Sequence, residues 1–459
     1  MSQTQPGYKL TVAQKLNYGL PSFAINLSGA LFGGWLTYFY LPPQSQLAMG
    51  RVALVAASAF AVAQLVGRLV DAIADPLVGY WSDRCRSRMG RRMPFMIFGA
   101  PILALSFGLM WFPPFEPGSF LNSVYLVCTM CFYWFAFTLV VAPYFALLPE
   151  IATTSKQRVG LSSYMAIFTV LGLAVGGIFV GNLQEAYPNG VDVAGIHIGS
   201  GIQIMAIVSS VLLLLMFWSP AINIREAPHS EEKEVPKGLF KGIATAFRNP
   251  AFRTYLAMAA FIQMGLTIVI ATMPYMATQI LESPEGQSGL IEAGKGESWA
   301  GYLQGGVVVL AALLIPLVNV LVGKLGKKKL FILTGAFMTL LLIAAPFAAW
   351  FPDPAIPAIA IFALLALPIS AALILPNAIY GDVVDYDAER TGVRREGLYT
   401  GATALVTKGA IGLSQAGVVG LLTLGNTREN PLGIALCFPL GAVLVAVGTA
   451  LFVKHPISD

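Results

Sequence analysis

Apolar runs long enough to cross a lipid bilayer recur along the whole chain, and this recurrence limits what the chain can fold into. A helix needs roughly 20 apolar residues to cross a hydrocarbon core of about 30 Å. Soluble domains usually carry about a quarter of charged residues, whereas 11% of these 459 residues are charged and 56% are hydrophobic. The sequence therefore predicts an all-α integral membrane protein.

Twelve such runs are present, and they predict twelve transmembrane helices with both ends of the chain on one side. The predicted segments are 17–40, 53–81, 95–114, 121–148, 160–182, 199–219, 251–281, 299–323, 329–350, 356–381, 397–424 and 431–453.

The basic residues indicate which side that is. Of the 28 Lys and Arg residues, 23 lie at the ends of the chain or in connections that follow even-numbered segments. The opposite connections hold Arg51, Lys295 and Arg428. Because basic connections stay in the cytoplasm, we expect a multi-pass protein of the plasma membrane (the inner membrane if bacterial) with both termini cytoplasmic. This topology explains the net charge of +5 without a nucleic-acid partner.

A polar stretch near the middle divides the chain. Residues 220–250 are predicted to be a cytoplasmic linker between an N-terminal six-helix bundle, 1–219, and a C-terminal one, 251–459. The motif GYWSDRCRSRMGRRMPF follows the second segment, and GKLGKKKLF follows the eighth, six segments later. This spacing is typical of two pseudo-symmetric bundles related as parallel repeats.

Charged side chains inside predicted segments are the first candidates for function, because a charge at the bilayer centre costs about 2.5–3.5 kcal/mol on insertion scales. Four residues qualify, and three of them share the second segment. They are Arg68, Asp71, Asp75 and Lys408.

Arg68, Asp71 and Asp75 fall within about 60° of arc on one helix face. Two carboxylates spaced i, i+4 raise each other's pKa, and desolvation raises both. With Arg68 the stripe carries one net negative charge, which a single H⁺ or Na⁺ would neutralise. The stripe therefore predicts a coupling-ion site, with Arg68 as the charge partner. The alternative is a structural Arg68–Asp71 pair, which leaves Asp75 unexplained.

Lys408 lies near the middle of the eleventh segment, in TGATALVTKGAIGLSQAG. A lysine there cannot easily reach water, so it is predicted to bind an anionic or hydroxylated substrate group, or to serve as an alternating partner of the acids in the second segment. A permanent structural ion pair is the alternative. Neighbouring glycines, including Gly409 and Gly417, predict a slim helix that either packs closely against others or slides along them.

The connection between the second and third segments is rich in charge. We interpret it as a topology signal and also as a conformational latch, whose charge contacts hold one state. The candidate latch residues are Asp83, Arg84, Arg88, Gly90, Arg91 and Arg92. The stretch GDVVDYDAERTGVRREG, residues 381–397, is a candidate counterpart. Either stretch alone is also compatible with a solvated charged surface.

Nothing in the sequence predicts an enzyme. The three histidines lie outside the predicted segments or at their ends, and no Walker-type phosphate loop is present. The four cysteines form no metal-ligand pattern. We therefore expect no cofactor, and no metal beyond a possible Na⁺ at Asp71 and Asp75. The expected partners are a small-molecule substrate, a coupling cation and the lipid bilayer, and a monomer is expected.

Three stretches resemble one known family. KLNYGLPSFA, DAIADPLVGYWSDRCRSRMGRRMPF and GDVVDYDAERTGVRREGLYTGATALVTKG are similar to the glycoside–pentoside–hexuronide:cation symporters, the melibiose permease group of the major facilitator superfamily. The stretches lie in both halves, so the resemblance covers the whole chain. It implies the major facilitator fold and cation-coupled symport by alternating access.

Carried over by position, the resemblance implies cation-binding roles for Asp71, Asp75 and Thr138, and a substrate role for Lys408. The chain departs from the family pattern at the positions that would grip a sugar. An asparagine between the acids becomes Ala74, an acid becomes Val141, and a stacking tryptophan becomes Phe145, while Asn26 replaces an acid in the first segment. The predicted substrate-binding residues are thus Lys408, Asn26, Val141 and Phe145.

Three functions follow as hypotheses. The first is symport of a glycoside, a uronate or a related small organic solute, with H⁺ favoured over Na⁺. The second is symport of an amphiphilic or lysolipid-like molecule, which suits the more apolar substrate residues. The third is a non-transporting membrane sensor or scaffold, in which the charged stripe would be structural.

Overall fold

The computed structural model describes residues 10–43, 46, 51–152, 154–193, 196–224, 247, 249–391 and 396–456. The chain divides into two compact units. The first unit comprises Met1–Leu41 and Val52–Lys233, and the second comprises Pro42–Arg51 and Glu234–Asp459.

In its described residues the first unit is helical apart from one small antiparallel hairpin. Its elements are α1 (Val12–Ala30), a π-helical turn (Leu31–Trp35), α2 (Leu36–Tyr40), α3 (Ala57–Arg84), α4 (Met93–Met110), α5 (Phe120–Ile151), α6 (Ser155–Ala186), β1 (Val191–Val193), β2 (Ile196–Ile198) and α7 (Gly201–Asn223).

The second unit is also helical, in the part of it that the structure describes. Its elements are α8 (Pro250–Met276), a π-helical turn (Ala277–Leu281), α9 (Gly296–Leu313), α10 (Ile315–Leu325), α11 (Lys327–Ala344), a 3₁₀ helix (Ala345–Trp350), α12 (Ala355–Thr391), α13 (Glu396–Leu422) and α14 (Leu432–Val453).

Ten helices of the described residues are long and apolar enough to cross a membrane, and the pair α9 and α10 makes an eleventh. This pair is bent by 49° at Leu314, where the eighth predicted segment was expected to be one helix. The bend fits the start of α10, which has Pro316 in its first turn and so lacks a backbone donor there. The remaining helical segment, Val12–Tyr40, corresponds to the first predicted one.

Helix ends differ from the predicted ones where side chains cap the backbone. The Thr11 hydroxyl accepts from the Gln14 amide, and the Gln14 side chain accepts from the Thr11 amide. This reciprocal capping box starts α1 five residues before the predicted 17. The tenth segment, predicted to end at 381, continues to Thr391 because its polar end leaves the apolar region without breaking the helix.

The predicted linker also differs at its ends. It was placed at 220–250, but α7 continues to Asn223 and Pro250 opens α8. Residues 225–246 and 248, which make up most of it, lie outside the described part of the chain.

The order of helix packing repeats between the units. In the first unit α1 packs on α6 and α7, α3 and α4 pack on α5, and α4 also packs on α7. In the second unit α8 packs on α13 and α14, α9 and α11 pack on α12, and α11 also packs on α14. Each contact therefore recurs six membrane segments later, the arrangement of a parallel repeat.

In each unit the first long helix ends in or passes through a π-helical turn. Leu31–Trp35 widens the helix between α1 and α2, and Ala277–Leu281 follows α8. Such turns insert one residue and frequently occur at functional sites. The first of them buries Phe32 and Trp35, which bears on the site described below.

Close packing of α1 on α6 depends on glycine. A Cβ added at Gly172 would collide with the backbone carbonyl of Phe23, whereas no described atom lies within 4 Å of a Cβ added at Gly29. We expect Gly172→Ala to destabilise the protein by about 1–3 kcal/mol, because overpacking forces the backbone to move. Gly29→Ala should be neutral or slightly stabilising, since alanine favours helix.

The measurement is the thermal unfolding midpoint of each variant in the same detergent. A midpoint for Gly172→Ala equal to that of Gly29→Ala would contradict the close approach of the two helices.

Candidate functional site in the first unit

The charged stripe lies on one face of α3, which continues through Pro76 as one helix. Gln64, Arg68, Asp71 and Asp75 follow one another at intervals of about one turn. Gln64 and Asp71 are buried, while Arg68 and Asp75 are partly exposed. The stripe therefore places polar groups along the inner face of an otherwise apolar helix.

Asp71 and Thr138, two of the predicted cation-site residues, are in direct contact. The Thr138 hydroxyl donates to Asp71 Oδ1 over 2.7 Å, and both residues are at most 2% exposed. A charge-assisted hydrogen bond of this kind stabilises a buried carboxylate. Thr138 is on α5, the helix that packs against α3.

The same stripe spacing occurs on α5. Trp134, Thr138, Val141 and Phe145 repeat the intervals of Gln64, Arg68, Asp71 and Asp75. Later residues of α3 meet later residues of α5, with Arg68 beside Trp134 and Asp71 beside Thr138, so the two helices run parallel. The same register places Asp75 level with the region of Val141, one turn beyond the Asp71–Thr138 contact.

Arg68 lies against aromatic rings as well as beside Asp71. Its Nη1 is 3.7 Å from Asp71 Oδ2, too long for a hydrogen bond, whereas its guanidinium carbon is 3.8 Å from the Trp134 ring centroid. The Phe32 ring, in the π-helical turn, is 5.5 Å away. A desolvated cation–π contact is worth about 2 kcal/mol. Arg68 is thus held by an aromatic pocket as well as by charge.

Gly67 makes this contact possible. A Cβ at position 67 would lie 2.8 Å from Cδ1 of Trp134, closer than real Cβ atoms approach other atoms. The indole therefore occupies the space that a side chain would fill. The sequence analysis missed both Trp134 and Phe32. The spacing from Trp134 to Thr138, one helical turn, was a signal that the two share a face.

Gln64 was also missed. It is fully buried, and in the part of the chain that the structure describes neither atom of its amide has a hydrogen-bond partner. Leaving such a group unsatisfied costs about 1–3 kcal/mol. An unsatisfied amide one turn before Arg68 extends the polar stripe toward the N-terminal end of α3.

The predicted substrate residues of this unit are less available than expected. The Asn26 amide donates to the Ser22 carbonyl at 2.7 Å and to Thr169 Oγ1 at 3.2 Å. Val141 is buried with 6% exposure and presents little surface, whereas Phe145 is 52% exposed beside Tyr144. The substrate roles of Asn26, Val141 and Phe145 stay predictions, and Phe145 offers the largest accessible face of the three.

Lys408 belongs to the second unit. It is half-buried on α13. At four glycines of this helix the described residues show no close packing, and sliding of the helix stays a prediction. No described atom lies within 4 Å of a Cβ added at Gly401, Gly409, Gly417 or Gly420. These glycines leave open space beside α13 because they carry no side chain to fill it.

The predicted latch is an ion-pair cluster at the ends of α3, α4 and α5. Arg92 bonds to Asp83 Oδ1 at 2.7 Å, to Ser82 Oγ at 2.8 Å and to Glu150 Oε1 at 3.2 Å. Arg91 also pairs with Glu150. Gly90, with φ of 103°, makes the turn that other residues rarely adopt. The cluster ties three helices of the first unit together.

Two predicted latch residues contribute differently. Arg84 stacks over the Tyr80 ring at 3.8 Å, and Arg88 is exposed. The sequence analysis missed Glu150, the acid at the end of α5 that both arginines share. In the candidate counterpart stretch Asp382 pairs with Lys327 of its own unit, and Arg390 lies over Tyr386. Arg394 and Arg395 are outside the described residues.

Comparison with known proteins decides the family. The model of a family described as MFS/sugar transport protein matches residues 17–458. The chain belongs to this family. It is 25% identical to an uncharacterized symporter of Synechocystis sp., covering 94% of this chain and 87% of the relative.

Other relatives are named for the molecules that they transport. The chain is 24% identical to the sodium-dependent lysophosphatidylcholine symporter 1-B of Danio rerio, covering 98% of this chain and 88% of the relative. It is 23% identical to the sphingosine-1-phosphate transporter of Mus musculus, covering 91% and 81%.

Solved structures confirm the fold. A nucleoside transporter aligns with a TM-score of 0.65 at 13% identity, covering 97% of this chain and all of that one. A D-xylose–proton symporter aligns with a TM-score of 0.63 at 14% identity, covering 96% and 97%. The predicted major facilitator fold is confirmed, and the protein is a multi-pass membrane transporter and not an enzyme.

The shared acid of the ion-pair cluster gives a test. Glu150→Gln removes the charge that Arg91 and Arg92 share while keeping the size of the side chain. Breaking a partly buried pair leaves arginine charge uncompensated, so we expect the unfolding midpoint to fall by several degrees. Glu116→Gln, an exposed acid of the α4–α5 connection, is the control and should leave the midpoint unchanged. Equal midpoints for the two variants would show that the cluster does not stabilise the unit.

Proposed function

We propose that this protein is a secondary active transporter that couples the movement of one proton to the symport of an amphiphilic organic molecule. The observation that carries the proposal is the buried Asp71–Thr138 contact, with Arg68 and Asp75 on the same face of α3. Transporter function is already established by the family, whereas the ion and the substrate are the proposal.

The charge of the stripe explains why an ion would be needed. One arginine and two carboxylates leave one negative charge when all three are ionised. Arg68, held on the Trp134 ring, lies nearest Asp71 and offsets that carboxylate. The stripe as a whole keeps one net negative charge, and a bound cation would neutralise it when this helix face is removed from water. Binding one cation would let the protein change conformation with a neutral stripe.

The local oxygen supply favours a proton over sodium. Sodium needs several oxygen ligands to replace its water, whereas a proton needs one carboxylate of suitable pKa. The carboxylates of Asp71 and Asp75 and the Thr138 hydroxyl offer oxygens, but Ala74 and Val141 offer only methyl groups on the same faces. The Danio rerio relative is named as a sodium-dependent symporter, so sodium is the alternative to be tested.

The substrate residues favour an amphiphile. Val141 and Phe145 are apolar, and the Asn26 amide is already bonded within the protein, so these positions provide few groups to hold sugar hydroxyls. Two relatives carry lysophosphatidylcholine or sphingosine-1-phosphate according to their names. We propose that Lys408 binds the anionic group of such a molecule. Symport of a glycoside or uronate is the second candidate, favoured by the family description.

The same proposal includes topology and assembly. Both termini are proposed to lie in the cytoplasm, because 23 of the 28 Lys and Arg residues are in the chain ends or in the connections that share their side. A monomer is proposed. A sensor that does not transport is excluded by any protein-dependent uphill accumulation in the experiments below.

The coupling ion is tested by uptake of fluorescent lysophosphatidylcholine into proteoliposomes. One arm has an imposed pH gradient without sodium, and the other a sodium gradient at equal pH. For one proton per substrate, each pH unit contributes about 1.4 kcal/mol, which supports about tenfold accumulation. Accumulation under the sodium gradient alone would defeat the proton proposal.

The matched variants in this assay are Asp75→Asn and Asp192→Asn. Asp75→Asn should abolish accumulation but keep exchange of labelled for unlabelled substrate, because coupling needs the titratable acid. Asp192 is an exposed acid of the β1–β2 hairpin, and its variant should accumulate substrate as the wild type does. Undiminished accumulation by Asp75→Asn would remove that acid from the coupling site.

The substrate class is tested by competition in the same vesicles. We expect unlabelled lysophosphatidylcholine and sphingosine-1-phosphate to inhibit uptake, and methyl glucuronide to have no effect. Lys408→Gln should raise the half-saturating concentration of the lysolipid at least tenfold, since it removes a charge-assisted bond worth about 1.5–3 kcal/mol. If radiolabelled methyl glucuronide accumulates and the lysolipid does not, the second candidate replaces the first while the transporter assignment stands.

A further inference from the structure

A groove of about 420 Å³ lies at one end of the second unit, between the start of α8 and the end of α14. Both helices are candidate membrane spans, over Pro250–Leu281 and Leu432–Val453, and the groove lies where both spans stop. Lipid headgroups occupy this level of a bilayer, just outside the hydrocarbon core. By the distribution of basic residues this is the end predicted to face the cytoplasm.

The groove is built from one face of each helix. Arg253, Thr254 and Ala257 recur at helical spacing on α8, and Leu451 and Lys454 are one turn apart at the end of α14. The two helices are antiparallel neighbours that pack on each other. The small side chain of Ala257 leaves space between their ends.

The charge of the groove has one sign. Arg253 and Lys454 are both exposed, both line the groove, and no acidic side chain of the described residues lines it with them. On the other side of the end of α14, the cavity beside Asp382 has charges of both signs, including Lys327 and Glu389. A groove with two cations and no lining acid attracts an anion.

Arg253 has an unfavourable position in its own helix. It is the fourth residue of α8, close to the positive end of the helix dipole, where an acid would stabilise the helix and a cation does not. The first turn of α8 contains no acid that would offset it. Lys454, the C-cap of α14, already offsets the negative end of that helix. An anion held between the two side chains would supply the missing negative charge.

The apolar part of the groove indicates that the anion belongs to a lipid. Ala257 and Leu451 line it about one turn farther into the membrane spans than Arg253 and Lys454. Val443 and Val447 extend the exposed apolar stripe of Leu451 along α14, at intervals of four residues. An acyl chain gains apolar contact along this stripe, whereas a free phosphate gains none.

We propose that this groove binds an anionic two-chain phospholipid, with its headgroup phosphate between Arg253 and Lys454 and an acyl chain along the stripe of α14. Basic pockets between membrane helices on the cytoplasmic side suit such headgroups. Neither the charged stripe of α3 nor Lys408 lines the groove, so the lipid is a bound partner and not the transported molecule. The proposal does not depend on which ion or substrate the protein carries.

The probe is dioleoylphosphatidylglycerol, titrated into delipidated full-length protein in detergent and followed by native mass spectrometry. Dioleoylphosphatidylcholine has the same chains and no net charge. Each basic residue near an anionic lipid strengthens binding about fivefold, so we expect the first phosphatidylglycerol to bind at least tenfold more tightly than phosphatidylcholine. Equal binding of the two lipids would overturn the proposal. The assay uses no ion gradient, so its outcome is separate from that of the uptake experiments.

A free anion is distinguished from a lipid by competition. Glycerol 1-phosphate carries a phosphate headgroup without acyl chains, and we expect a hundredfold excess of it to leave phosphatidylglycerol bound. Displacement of the lipid by an equal concentration of glycerol 1-phosphate would show that the groove takes a free phosphate, and would refute the lipid.

Variants test the groove itself. Arg253→Gln combined with Lys454→Gln should bind phosphatidylglycerol no more tightly than phosphatidylcholine, and Lys454→Gln alone should weaken phosphatidylglycerol binding about fivefold. The matched control is Lys324→Gln combined with Lys329→Gln, which removes two exposed cations at the same end of the same unit but outside the groove. The control should keep the preference for phosphatidylglycerol. An equal loss in the control, or a preference retained without Arg253 and Lys454, would remove the site.

Discussion

The packing of the first unit depends on one constraint, which is that the Arg68 guanidinium lies between apolar helices and is largely removed from water. Arg68 and Asp71 are removed from water on α3, and each would be costly there without its neighbours. The Arg68 guanidinium packs on the Trp134 ring, and the Thr138 hydroxyl donates a hydrogen bond to the Asp71 carboxylate. Both partners come from one helix, α5, and both contacts need the same parallel register. The polar groups therefore specify how these two helices pack.

Much of this arrangement could be predicted from the sequence, because membrane spans and charges within them are strong local signals. The placement of Thr138 in one site with Asp71 was implied by the family resemblance. The role of Trp134 could not be foreseen as readily, since an aromatic residue in an apolar segment is ordinarily a packing residue. Trp134 is distinguished only by the neighbouring Gly67, which has no side chain to exclude the ring. This relation becomes visible only when the distance between the two helices is known. Glu150 was missed for a similar reason, because its partners lie about 60 residues earlier in the chain.

The two units share one order of helix packing but differ in the connections that follow the corresponding helices α3 and α10. After α3 a long connection supplies Arg91 and Arg92, which fill the space beside Glu150 and Asp83. After α10 a single residue, Gly326, precedes α11, and the lysines that follow leave a cavity next to Asp382. A repeat that keeps its helices but shortens one connection can thus have an open cavity where the other repeat has an internal arginine. The helix framework tolerates this because the connections lie outside it.

The division of the chain into units has a consequence for protein engineering. Residues Pro42–Arg51 lie between α2 and α3 in the sequence but belong to the second unit, where Arg51 and Gln46 both bond to Glu297 at 3.3 and 3.1 Å. Two fragments made by cutting between α7 and α8 would not each contain a whole unit. The N-terminal fragment would contain the whole first unit and also the segment Pro42–Arg51, which belongs to the second unit. The C-terminal fragment would lack Gln46 and Arg51, so Glu297 would lose both of these contacts unless the segment were supplied to that fragment.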